Sequence, residues 1–153
     1  MVDIVTVGEA LVEIMRKVPG VSLEVTEEFL GPYPSGAPAI FADQAARLGH
    51  TVAFVGATGQ DAFGRMLRRR LETDGVDVAE LVAMPGLSTG VAFVTYRDDG
   101  SREFIFHMGN AAAGALPQVG EYLLANAQWL HVCGSTLAGS ERMREVCYNA
   151  VER

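Results

Sequence analysis

Cysteine is scarce in this 153-residue chain: only Cys133 and Cys147 occur, each in an apolar setting, HVCGS and REVCYNA. Two thiols and 3 histidines do not offer the closely spaced set of about four ligands that a structural zinc site needs. The expectation is a pair of buried, reduced thiols. Positive charge is short as well. Twelve Lys and Arg stand against 19 Asp and Glu, a net charge of −7. The densest basic cluster, Arg65, Arg68, Arg69 and Arg70, is expected on the solvated face of a helix. A chain of this sign is repelled by phosphate backbones, so nucleic acid is not an expected partner. No apolar run reaches the roughly 18 residues that a membrane span requires. Asp3 and Glu9 interrupt the N-terminal apolar stretch, so no signal peptide is read there, and the expected location is cytoplasmic, with no membrane partner. Two phosphate cradles are missing too. There is no Gly-x-x-x-x-Gly-Lys-Ser/Thr run. The turn after the first apolar segment reads Gly8-Glu9-Ala10-Leu11, not Gly-x-Gly-x-x-Gly, which argues against a dinucleotide site.

What is present is ordinary globular material. Apolar residues make up 49% and charged residues 20%, enough for a core in about one domain. Asp3–Val7 reads as a buried strand ending at Gly8, and Leu11–Met15 as a second short apolar piece. Ser22–Leu30 alternates partly and suggests an edge strand. The cluster Gly31-Pro32-Tyr33-Pro34-Ser35-Gly36 reads as a breaker. The pattern then predicts a helix over Ala37–Leu48, buried along Phe41, Ala45 and Leu48 and stopped by Gly49. A strand over Thr51–Val55 follows. Next comes a helix over 62–73 with Asp61 as its N-cap, an apolar face of Phe63, Met66, Leu67 and Leu71, and Gly75 as its stop. This βαβα rhythm signals a parallel sheet covered by helices. Strands over Val78–Ala83, Gly90–Tyr96 and Glu103–His107, the last two joined by a turn at Asp98–Ser101, break the rhythm and suggest a small separate sheet or an edge. Helix Pro117–Ala127, buried strand Trp129–Cys133 and helix Glu141–Glu152 restore it.

Four stretches, in order, resemble carbohydrate kinases of the ribokinase (PfkB) family. They are VTVGEALVEIM at 5–15, SGAPAIFADQAARLG at 35–49, TVAFVGATGQDAFGRMLRRRLETDGVDV at 51–78, and TGVAFVTYRDDGSREFIFH at 89–107 with the small-residue run 110–113. The third carries the family's Gly-x-Asp-x-Phe-Gly pattern at Gly59, Asp61, Phe63 and Gly64. The resemblance implies the N-terminal part of a doubly wound α/β, ribokinase-like sheet with a small β lid, the lid strands lying within 11–34 and 89–107. It also implies a sugar site. Glu13 stands where the family places an acid that accepts bonds from sugar hydroxyls. Gly36 stands where a Gly-Gly pair brings backbone close to the sugar and serves as a lid hinge, with Ser35 in place of the first glycine. Ala37, Phe106, His107 and Asn110 are the further substrate-side candidates. Two departures bear on specificity. Ile40 occupies the place of a usual sugar-binding Asn. His107 lies near a position where members similar to 2-keto-3-deoxygluconate kinase often carry Arg, and an imidazole cannot fork onto a carboxylate.

The resemblance implies ATP and Mg²⁺ as the parent family's cofactors. The family's late Gly-rich segment, with the Asp that serves as base, has no match in 1–153. The expectation is therefore a sugar-side half that lacks the nucleotide-binding half, binds neither ATP nor Mg²⁺ by itself, is inactive alone, and holds no catalytic residue of its own. Either it is a piece of a longer sugar kinase, or it is a non-catalytic sugar-binding or dimerisation module. Unpaired lid and sheet edges suggest self-association as a homodimer.

Overall fold

A computed structural model describes all 153 residues. Two four-stranded sheets organise it. The first has the order β5-β4-β1-β8 and is parallel throughout. Its strands are β1 (Val2–Val7), β4 (Val52–Gly59), β5 (Leu81–Met84) and β8 (Ala127–Val132). The second has the order β3-β2-β6-β7, from β2 (Leu11–Arg16), β3 (Phe29–Ser35), β6 (Gly90–Tyr96) and β7 (Arg102–His107). Within it β2 runs parallel to β6 and antiparallel to β3, and β6 and β7 form an antiparallel pair.

Alternation along the central strands builds the layers, because successive side chains point to opposite faces. Val52 and Phe54 of β4 face one core, shared with Ala39, Ala42 and Ala45 of α1 (Ala37–Arg47) and with Leu67 and Leu71 of α2 (Ala62–Thr73). Ala53 and Val55 face the other, with Val5 and Val7 of β1 and Met143, Val146, Cys147 and Ala150 of α5 (Glu141–Val151). Helices thus cover both faces of the parallel sheet, as such sheets require. The caps follow the sequence: the Asp61 carboxylate accepts from the Gly64 N–H at 2.8 Å, and Gly49 and Gly75 follow the two helices at φ 97° and 90°. Of the four clustered arginines, Arg65, Arg69 and Arg70 are exposed and Arg68 is half-buried. Arg68 donates to the Val78 and Leu81 carbonyls, and Arg70 bridges Asp43 and Asp74.

Several expectations are corrected. The third strand is Phe29–Ser35, not Ser22–Leu30. The Gly/Pro cluster extends rather than breaks it, because β3 is an edge strand and an edge tolerates proline's missing N–H. In α1 the alanines pack on the sheet, while Phe41 and Leu48 are 36% and 80% exposed. β5 belongs to the edge of the parallel sheet. The helix expected over Pro117–Ala127 shrinks to α3, Glu121–Ala125, since Leu116 and Val119 are buried from irregular backbone. The strand expected to be buried around Trp129 is the sheet's outer strand, and Trp129 is 71% exposed. Cys133 is half-buried, whereas Cys147 is fully buried. A short helix, α4 (Gly134–Gly139), follows β8 without a clear pattern in the sequence.

Candidate functional site

In an open parallel sheet, ligands bind beyond the carboxyl ends of the strands where the strand order reverses. Here that point lies between β1 and β8, since β1 leads outward to β4 on one side and to β8 on the other. The second sheet rises from the same place, because β1 passes into β2 through only Gly8, Glu9 and Ala10. Between the two sheets lies a cleft of about 630 Å³, within the usual range for small-ligand sites.

Each wall has a definite source. β2 contributes Leu11 and Glu13, and β6 contributes Ala92. β7 and the residues after it contribute Arg102, Phe104, Phe106, Met108 and Gly109. The end of β3 and the start of α1 contribute Ser35, Gly36, Ala37 and Ile40; the floor is Glu9 with Ser135, Ala138 and Gly139 of α4. Phe104 and Phe106 stack with centroids 5.0 Å apart and planes 14° from parallel. The Arg102 guanidinium lies 5.6 Å above the Phe104 ring, a cation–π distance.

Glu9 is the most constrained polar group. It is 2% exposed, and its two oxygens accept 2.6 Å bonds from the Ser135 and Thr136 hydroxyls. Its charge reaches further: burial, and after it Glu9, push the Cys147 thiol up to about 11. Gly36 closes the knot. At φ 104° it has a conformation that favours glycine, and a Cβ there would sit 2.5 Å from the Glu9 carbonyl oxygen. Backbone conformation and close approach both require Gly36.

The structure thus brings Glu13, Gly36, Ala37 and Phe106 into one cleft. It does not bring His107 there. Phe106 pairs with Ala92 and His107 with Val91, so the two point to opposite faces of β7. The imidazole meets the Phe93 ring edge-on at 6.0 Å and borders a separate hollow with Asp61 and Phe63. Asn110 is exposed and outside the cleft lining. Sequence reasoning missed Glu9, Ser135 and Arg102. The available signal for Glu9 was a carboxylate directly after a buried strand's terminal glycine. For Ser135 it was a pair of hydroxyl residues just beyond the neighbouring strand.

The sequence profile of the pfkB family carbohydrate kinases matches residues 1–153. The chain belongs to that family. Fructokinase-1 of Oryza sativa subsp. japonica and Fructokinase-1 of Zea mays are each 46% identical over 109 residues, 71% of this chain and 33% of theirs. Among solved structures, a provisional ribokinase II from E. coli superposes with a TM-score of 0.89 at 40% identity, over 99% of this chain and 50% of its own. Fructokinase from Xylella fastidiosa gives 0.82 at 31%, over 98% and 46%. This pfkB-family chain therefore spans about a third of those curated relatives and half of those solved chains. The E. coli protein has also been solved in complex with ATP and Mg²⁺. The cleft described above does not fit a nucleoside triphosphate: its one cation is Arg102, and two carboxylates, Glu9 and Glu13, line it. No group of three or more His, Cys, Asp or Glu could hold a metal ion.

Proposed function

We propose that this chain supplies the acceptor-sugar side of a kinase that phosphorylates a hydroxyl of a small neutral sugar of the fructose type. The observation that carries the reading is the cleft at the strand-order reversal, with the Glu13 carboxylate and the Phe106 ring lining it. A half-buried carboxylate accepts strong hydrogen bonds from hydroxyls, Gly36 gives the backbone close approach, and an exposed phenyl ring covers a sugar's C–H face. Ala37 lies beside Gly36 on the same wall. Two lining carboxylates against one arginine favour a neutral sugar over a keto-sugar acid, and His107, turned away, offers an acid nothing. In the full kinase ATP with Mg²⁺ would supply the phosphoryl group. The role of these residues is to bind and orient the acceptor.

Ligand-observed NMR of the chain with fructose tests this. Loss of one charged hydrogen bond, about 1.5–3 kcal/mol, predicts that Glu13→Ala weakens binding roughly ten- to a hundredfold. Unchanged affinity would remove Glu13 from the site.

A second reading, self-association as a dimerisation module, is favoured by the open β8 edge with Trp129 71% exposed and by Tyr33 at 44% on the lid's β3 edge. Concentration-dependent sedimentation supports it, and a single monomeric species at high concentration counts against it.

A further inference from the structure

The α1 wall of the cleft differs in chemistry from the β2 wall. Its side chains there are Ala37 and Ile40, three residues apart and so on one helical face. Ile40 is 49% exposed: it lines this cleft and also borders a smaller hollow with Pro34, Asp43 and Arg70. The Ile40 N–H is itself committed to the Gly36 carbonyl at 2.8 Å. β7 lines the same cleft with Phe106, 54% exposed and stacked on Phe104. The polar side chains Glu13, Ser35 and Ser135 come from β2, β3 and α4 instead.

Resting on the sugar-site reading above, we infer that Ile40 is a specificity-determining residue and that the acceptor is a deoxy sugar, lacking a hydroxyl at the carbon that meets α1. A hydroxyl laid against Ile40 loses its water and gains no partner, whereas a CH₂ covers exposed apolar surface. An apolar wall rejects an added hydroxyl only moderately, on the order of ten- to a hundredfold.

The test measures affinities of the 153-residue chain for fructose and its 1-, 3-, 4- and 6-deoxy analogues by ligand-observed NMR. Wild type, Ile40→Val and Ile40→Asn are compared, with circular dichroism confirming that each folds. The expected result is one deoxy analogue bound about ten- to a hundredfold more tightly than fructose. That preference is kept in Ile40→Val and lost or reversed in Ile40→Asn, whose amide gives the missing hydroxyl a partner. Fructose bound as tightly as every analogue by wild type overturns the inference and leaves the sugar site standing. So does a deoxy preference that Ile40→Asn leaves unchanged. No binding of any of these sugars overturns the sugar-site reading and the inference with it.

Discussion

Replacing Glu9 by alanine removes the acceptor for two hydroxyls at once, those of Ser135 and Thr136, each 2.6 Å from a carboxylate oxygen. A hydrogen bond to a charged group contributes about 1.5–3 kcal/mol, and a buried hydroxyl left without a partner costs about 1–3 kcal/mol. Thr136 is fully buried and cannot turn to water. Ser135 is exposed and can. Against the loss stands relief from burying a carboxylate that has no cationic partner within bonding distance, which returns part of the gain. The balance for Glu9→Ala is a destabilisation of about 3 kcal/mol. With a urea m-value of about 2 kcal/mol/M for a domain of this size, the unfolding midpoint falls by about 1.5 M. Glu9→Gln behaves differently. Both hydroxyls can donate or accept, so they can bond to either end of an amide, and the expected change is under about 1 kcal/mol. Urea titrations followed by far-ultraviolet circular dichroism measure both variants. The reasoning is refuted if Glu9→Ala unfolds within about 0.3 M of wild type, or if Glu9→Gln falls as far as Glu9→Ala.

Three further outcomes follow from groups elsewhere in the fold. Asp61 is partly buried, which would raise its pKa, but bonds from the Gly64 N–H and from the Thr89 hydroxyl and N–H hold it low. Asp61→Ala should cost about 2 kcal/mol in urea unfolding. In the wild type the contribution of Asp61 is full above the ordinary aspartate range and fades as pH falls through its lowered folded value; a midpoint unaffected by the substitution would contradict this. His131, stacked 3.7 Å from Phe41 and bonded at Nδ1 to the Thr6 hydroxyl, has its pKa lowered by burial. Between the folded and ordinary values the unfolded chain binds the extra proton. The midpoint should therefore drop between pH 7.5 and 5, and the drop should shrink in His131→Phe; equal pH profiles would refute the assignment. With a thiol-reactive dye at pH 8, the native chain should label quickly at half-buried Cys133 alone, and at Cys147 only after unfolding, since that thiol is pushed up to about 11.

How far the sequence revealed the fold depended on what each residue's environment required. Val52–Val55 was legible as a short continuous apolar run buried on both faces, and the helix after Asp61 because it satisfies a single periodicity and carries its own cap. β3 was not, because proline and glycine break structure in a strand's interior, and β3 is an edge. Nor was the exposure of Trp129. An apolar strand of a parallel sheet has the same local pattern at the centre and at the rim, and only the strand order separates the two. In the site, Glu13, Gly36, Ala37 and Phe106 came from stretches with recognisable patterns. Glu9 and Ser135 are 126 residues apart, and nothing local joins them. His107 was misplaced by one residue of strand parity, the smallest shift that reverses a face.

The passage from β1 into β2 takes only Gly8, Glu9 and Ala10, all buried. So short a link leaves the second sheet one fulcrum on this side, and Glu9 sits at it, fastened to α4. Glu13 lies four residues out along β2, a lever arm of about 13 Å at about 3.3 Å per residue. A swing of about 10° would then move the Glu13 carboxylate by about 2 Å while leaving Glu9 nearly still, enough to make or break a hydrogen bond. Glu9 is thus the fixed end of this short arm, tied to α4, and Glu13 its free end, standing inside the cleft.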